Sequence, residues 1–140
     1  MLIHWIWKGK IVHLTMKTDY CLRVLIYLQE KPGKTKIQEI AEAFGISKNH
    51  LSVAVNKLSE LGYVISTAGP KGGIEFNPEM ANRTIAELAT TLENLNVVEC
   101  FDSETSTCVL SAKCRLQHML KRATQAFVAE LSNYKVKDLV

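Results

Sequence analysis

T-K-I-Q-E-I-A-E-A-F-G-I-S-K-N-H-L-S-V-A-V-N-K-L-S-E-L-G-Y-V-I-S-T, running from Thr35 to Thr67, decides the fold. Thr35 opens a helix with Gln38 three positions on, a capping-box spacing. Ile37, Ile40, Ala41 and Phe44 recur as its apolar face, and Gly45 stops it. After Ile46, Ser47 caps a second helix that runs to about Leu61. In that helix Leu51, Val55, Leu58 and Leu61 must face inward, which leaves Lys48, Asn49, His50, Ser52, Asn56, Lys57 and Ser59 outside. Two short helices joined by a tight turn containing glycine form the helix-turn-helix pattern.

Downstream, Tyr63-Val64-Ile65-Ser66-Thr67 is a short β-like run. Ala68 to Gly73 is a turn cluster and Ile74-Glu75-Phe76 alternates as a return strand. A helix-turn-helix followed at once by a hairpin is a winged helix, so the fold class is mainly α with a small β-hairpin wing. Upstream, Thr18 is the expected cap of a first helix through Leu28, with Leu22, Leu25, Ile26 and Leu28 near one face, ended by Lys31-Pro32-Gly33. Beyond the wing, Thr84 and Glu87 open another helix with Ile85, Leu88, Ala89 and Leu92 on one face. A last helix from about Leu116 to Tyr134 carries Leu116, Leu120, Ala123, Phe127, Leu131 and Tyr134. That apolar stripe is too long for a small domain to cover alone and points to a second copy of the chain. The expected organisation is an irregular extension over 1–12, a winged helix-turn-helix domain over 13–80, and a cluster-binding loop with dimerisation helices over 81–140.

A recognition helix places its N-terminal residues at base edges in the major groove. Here these are Ser47, Lys48, Asn49, His50 and Ser52. Asn pairs with adenine, Lys reaches guanine, and Ser serves either base or phosphate. Lys36, Lys57 and Lys71 add cations, and Gly72 and Gly73 in the glycine-rich wing tip let backbone approach closely. Net charge over the chain is only +3, so the argument rests on the local excess of lysine between Lys31 and Lys71. The chain shows no nucleophile–base pair and no phosphate-cradling loop, so an enzyme is not expected.

Hydrophobic residues at 47% and charged residues at 22% describe an ordinary globular chain rather than a disordered or membrane one. The apolar start, M-L-I-H-W-I-W-K-G-K-I-V, is too short to span a bilayer, and its lysines follow the apolar part, the reverse of a secretory signal. A cytoplasmic protein is expected, in which cysteines serve as metal ligands or reactive thiols rather than disulfides.

Three of the four cysteines fall in C-F-D-S-E-T-S-T-C-V-L-S-A-K-C, Cys100 to Cys114, with the spacing C-x7-C-x5-C. Three thiols cannot all pair as disulfides and are one short of a closed zinc site. They suit an iron–sulfur cluster with a fourth ligand from elsewhere. Cys21, Asp19, His118, Asp102 and Glu99 are the candidates, and composition does not choose among them.

The residues now assembled resemble the NsrR family of nitric-oxide-sensing iron–sulfur repressors, within the winged-helix superfamily that also holds IscR and CymR. The resemblance is carried by L-T-M-K-T-D-Y-C-L-R-V-L-I-Y-L from Leu14, I-A-E-A-F-G-I-S-K-N-H-L from Ile40, L-G-Y-V from Leu61, G-G-I from Gly72, and V-E-C-F-D-S-E-T-S-T-C-V-L-S-A-K-C from Val98. It covers the chain from about residue 13 onward. The resemblance implies a homodimer with crossed long helices that binds a double-stranded, palindromic DNA operator. It implies one cluster per subunit, 4Fe–4S in preference to 2Fe–2S, held by Cys100, Cys108 and Cys114. It also implies an aspartate from the partner subunit as fourth ligand, at the position of Asp19, and nitric oxide as effector. IscR-like sensing of cluster supply or redox state, and cluster-free CymR-like control by a partner protein, are the alternatives. The chain departs from the family in having Ala68 where arginine often precedes the first wing glycine, leaving Lys71 as the wing's cation. It departs again in its N-terminal extension, with Val12 as a candidate start.

Overall fold

The structure is a computed structural model that describes residues 14–95 and 114–140. Among these residues the helices are α1 (Met16–Glu30), α2 (Ile37–Phe44), α3 (Lys48–Glu60), α4 (Ile85–Leu92) and α5 (Arg115–Leu131). Two antiparallel strands, β1 (Val64–Thr67) and β2 (Gly73–Phe76), follow α3, and 3-10 turns occupy Pro78–Met80 and Val136–Leu139. This is the winged helix that the sequence predicts.

The core forms where three apolar helix faces meet. Cys21, Val24, Leu25 and Leu28 of α1 pack with Ile40 and Ala41 of α2 and with Leu51, Ala54, Val55 and Leu58 of α3, all buried. Tyr63, Val64 and Ile74 close it from the wing, and Ile85, Leu88, Leu92 and Val136 from the C-terminal half. Fully burying one such leucine stabilises the fold by about 1.5–3 kcal/mol. Val136 is drawn in by backbone pairing: its N–H donates to Arg83 O at 2.8 Å, and Lys137 N to Ala81 O at 3.0 Å. Gln29 Nε2 then donates to Val136 O at 3.1 Å, fastening the C-terminal turn to α1.

The hairpin register pairs Val64 with Phe76, Ile65 with Glu75, Ser66 with Ile74 and Thr67 with Gly73. A third strand-like contact joins it, because Thr35 N donates to Ile74 O at 2.9 Å and Ile74 N to Thr35 O at 2.8 Å. A Cβ on Gly73 would lie 2.9 Å from Thr35 O, so this close approach needs glycine. Gly45 closes α2 in the left-handed conformation, with φ +65°, as the stop signal there requires.

Two capping expectations are corrected. α1 is capped by Thr15, not Thr18: Thr15 Oγ1 accepts from Thr18 N at 3.5 Å, and Thr18 is fully buried inside the first turn. α2 is not capped by Thr35, whose backbone is held in extended form by Ile74. Lys36 takes the cap position without a side-chain bond. The other two caps hold, Ser47 accepting from His50 N and Thr84 from Glu87 N. The last helix ends at Leu131, three residues before the expected Tyr134.

Replacing Leu58, wholly buried where α3 meets α1, with alanine is expected to cost about 2–5 kcal/mol. Urea unfolding followed by circular dichroism measures this as a lower midpoint with an unchanged slope.

Candidate nucleic-acid interface and metal-ligand residues

The tight turn at Gly45 and Ile46 brings α3 in with its N-terminal end outward. Ser47 Oγ accepts from His50 N at 3.2 Å, which fixes the first turn. Lys48, Asn49 and His50 are exposed there, backed by buried Leu51. Ser52 is half-buried and donates its Oγ–H to Lys48 O at 2.7 Å, so its proton is engaged and only its lone pairs stay open to an outside donor. Lys57 lies nine residues beyond Lys48, about 13 Å along the helix axis. It pairs with Glu60 at 3.3 Å, apart from the Ser47–His50 group.

Between the start of α2 and the hairpin lies a cleft of about 450 Å³, lined by Lys36, Gln38, Lys48, Ser66, Thr67 and Gly73 among others. Two lysines from different elements thus face one groove. Lys36 Nζ donates to Gly69 O at 3.4 Å and so also touches the wing. Lys71 is exposed at the hairpin tip and enters no ion pair among the described residues. Gly72 is buried, and a Cβ there would meet Thr67 O at 2.0 Å and Ala68 O at 2.7 Å. The hairpin's own closure is therefore the first requirement for glycine at position 72.

Sequence reasoning assigned no role to Val53, which is 58% exposed on the outer side of α3. Its signal was available: it falls out of phase with Leu51, Ala54, Val55 and Leu58, which already fill the inward face. An exposed valine beside Asn49 and Ser52 suits apolar contact with a thymine methyl. Gln38 and Thr67, which line the cleft, were missed as well.

Of the proposed metal ligands, Cys100 and Cys108 lie outside the described residues, as do the alternatives Asp102 and Glu99. Cys114 is half-buried, free of disulfide, and stands at the N-cap of α5 without a side-chain capping bond. Asp19 sits in the first turn of α1 with its side chain 46% exposed, and accepts from Arg23 Nε at 3.0 Å. The Arg23 guanidinium in turn lies 5.8 Å from the Phe44 ring centroid at the end of α2. Tyr27 packs edge-on to the same ring, and its hydroxyl donates to Glu39, which also pairs with Lys31. Among the described residues no three His, Cys, Asp or Glu side chains gather as a metal site.

Cys21 faces the core. It is wholly buried against α3, and its Sγ donates to Ala54 O at 3.6 Å. Burial pushes the thiol up to about 11, and Lys17 and Lys57 offset this only in part. His118 is exposed on α5, one turn beyond Cys114, in a shallow basic cleft of about 430 Å³ with Arg115, Met119 and Arg122. Another carboxylate, Glu93, closes α4 and accepts from Thr15 N at 2.6 Å and Thr15 Oγ1 at 2.9 Å. Burial alone would raise Glu93, but hydrogen bonds from Thr18 and Thr15 outweigh it and hold the carboxyl below its usual range.

The Cys21 geometry sets a chemical expectation. In metal-free native protein at pH 8, iodoacetamide should leave Cys21 unmodified, and unfolding should expose it, as read by peptide mass spectrometry. Because the folded pKa is raised, native protein holds this proton more tightly than unfolded protein does. The stabilisation is full below the ordinary thiol pKa of 9.0 and is lost as pH rises through about 11.

Comparison with known proteins follows the same lines. The family model described as "Rrf2: Iron-dependent Transcriptional regulator" matches residues 14–140. The chain is 44% identical over 130 residues to the HTH-type transcriptional regulator NsrR of Bacillus subtilis, covering 91% of this chain and 89% of that one. It is 40% identical over 132 residues to the regulator of the same name from Shouchella clausii, covering 92% and 89%. In structure it is similar to CymR, the global cysteine regulator of B. subtilis, with a TM-score of 0.71, 25% identity, and coverage of 92% of this chain and 96% of that one. It also shares its fold with T. potens IscR at a TM-score of 0.69 and 17% identity, over 91% of this chain and 85% of that one. No described helix is long and apolar enough to cross a membrane.

Proposed function

Because this chain belongs to the Rrf2 family of transcriptional regulators, we propose that it is a DNA-binding repressor that senses nitric oxide through an iron–sulfur cluster held partly across a dimer. The observation that carries the reading is a contrast between two neighbours on α1. Cys21, the one thiol outside the C-x7-C-x5-C segment, is turned into the core, while Asp19 presents its carboxylate at the surface. This contrast supports a non-cysteine fourth ligand for a site with three cysteines.

Cys114 fits as one ligand, since its half-buried thiol has no disulfide and no capping duty. Cys100, Cys108 and Cys114 would hold the cluster as thiolates, with the partner subunit's Asp19 completing the set. When bound, the cluster supplies iron open to a small diatomic where its ligand is not a thiolate. Asp19 then has two states, withdrawn from Arg23 as a ligand or returned to it when released. Arg23 rests on Phe44 of α2, and α1 forms the back of the core against α3, so the setting of Asp19 bears on the reading head. Nitric oxide shifts the population away from the operator-competent dimer.

Dimerisation is supported by α5, none of whose residues is buried in the single chain. Leu116, Met119 and Phe127 are 57%, 63% and 43% exposed, a stripe that a second copy would cover. At the DNA face, Ser47, Lys48, Asn49 and His50 would read the major groove, with Lys36, Ser52, Lys57, Lys71, Gly72 and Gly73 contributing at its flanks.

Anaerobic purification tests the cluster directly. Brown protein with iron and sulfide in stoichiometric amounts is expected, and colourless protein holding zinc would favour the cluster-free, CymR-like reading. Operator affinity measured during nitric oxide titration should fall; unchanged affinity would favour IscR-like sensing. Asp19→Ala should yield a cluster that bleaches faster in air, whereas Cys21→Ala should not.

Lys48→Ala should weaken operator binding by about 1–3 kcal/mol if the ammonium bonds guanine. If it bonds phosphate, the salt slope of log affinity should drop by about one. Fluorescence anisotropy at several salt concentrations separates the two.

A further inference from the structure

One carboxylate outside both proposed sites holds two distant parts of the chain together. Glu93 is the C-cap of α4, and it precedes Cys100 by seven positions. Its Oε1 accepts both from the backbone N–H of Thr15, at 2.6 Å, and from the Thr15 hydroxyl, at 2.9 Å. Thr15 is the N-cap of α1. Its carbonyl accepts from Asp19 N at 3.0 Å, and its hydroxyl lies 3.3 Å from that of buried Thr18. The carboxylate therefore grips the turn that carries Asp19. Two charge-assisted bonds to one residue, one of them to backbone, fix position more tightly than a flexible surface ion pair does.

We infer that Glu93 is a positioning residue that ties the root of the cysteine-bearing segment to the first turn of α1, so that ligation at one and the seat of Asp19 at the other move together within a subunit. This rests on the cluster reading above and deepens it. The partner subunit's Asp19 links each cluster to the other chain; the Glu93 clasp links the same cysteine segment to its own α1. Each cysteine segment then acts on both α1 helices of the dimer, and the two reading heads are set jointly.

The test uses the full-length protein with Glu93→Ala and the conservative Glu93→Gln, which keeps an oxygen able to accept from Thr15. In metal-free protein, hydrogen exchange at amides 16–19 should speed up about tenfold or more in E93A. It should be largely restored in E93Q, with core amides such as Leu25 and Leu58 unchanged. In cluster-loaded protein, the ratio of operator affinity with the cluster to that without it should fall towards one in E93A, with the visible absorbance of the cluster intact. It should recover in part in E93Q. A merely structural role would lower both affinities together and keep their ratio. The inference is overturned if exchange at 16–19 is unchanged in E93A, or if the affinity ratio equals that of the unaltered protein. If the unaltered protein assembles no cluster, the cluster reading fails, and the exchange measurement alone decides the clasp.

Discussion

The packing of α1 across the back of α3 is the contact on which the other elements depend. Val24, Leu25 and Leu28 meet Leu51, Val55 and Leu58 in a layer with almost no exposed surface. Its inward side stabilises the domain, and its outward side leaves α3 free to present Lys48, Asn49 and His50. Because protein interiors are packed as densely as organic crystals, α1 cannot shift against α3 by a fraction of a side chain without repacking. The helix proposed to read DNA is thus also the helix that feels α1.

That arrangement gives the polar residues on α1 a packed route to α3. Asp19 and Arg23 lie on the flank of α1, Arg23 reaches Phe44 of α2, and Thr15 at the start of α1 is gripped by Glu93. The Asp19–Arg23 pair is a half-exposed contact worth little alone. Its effect comes from the rigid layer to which it is attached.

The winged helix was legible because its signals are local. Gly45 needs a left-handed backbone, Ser47 caps its own helix, and the strands alternate over four residues on either side of a glycine-rich turn. The failures share a physical cause, a partner distant in sequence. Thr15 and Thr18 are both plausible caps when read along the chain. Core packing buries Thr18, and a carboxylate 78 residues away takes Thr15. Thr35 has a good capping spacing, yet Ile74 claims its backbone for a strand pair. The same holds at the candidate site. Asp19 could be singled out among the candidate ligands only by likeness to a family, while the burial of Cys21 became visible only once Ala54 and the core were seen around it. Val53 was readable in the helical phase, but exposure alone gave it meaning.

The C-terminal turn gives α5 a mechanical character. Val136 is sunk in the core, and the backbone around it pairs with Ala81 and Arg83. One end of α5 is therefore pinned to the DNA-binding unit, while Cys114 stands at the other end, about 25 Å away along a 17-residue helix. The helix is a lever with its pivot beside α1 and its far end at Cys114. A tilt of a few degrees at the pivot sweeps the far end by about an ångström or more, so a small displacement beside α1 is enlarged at Cys114.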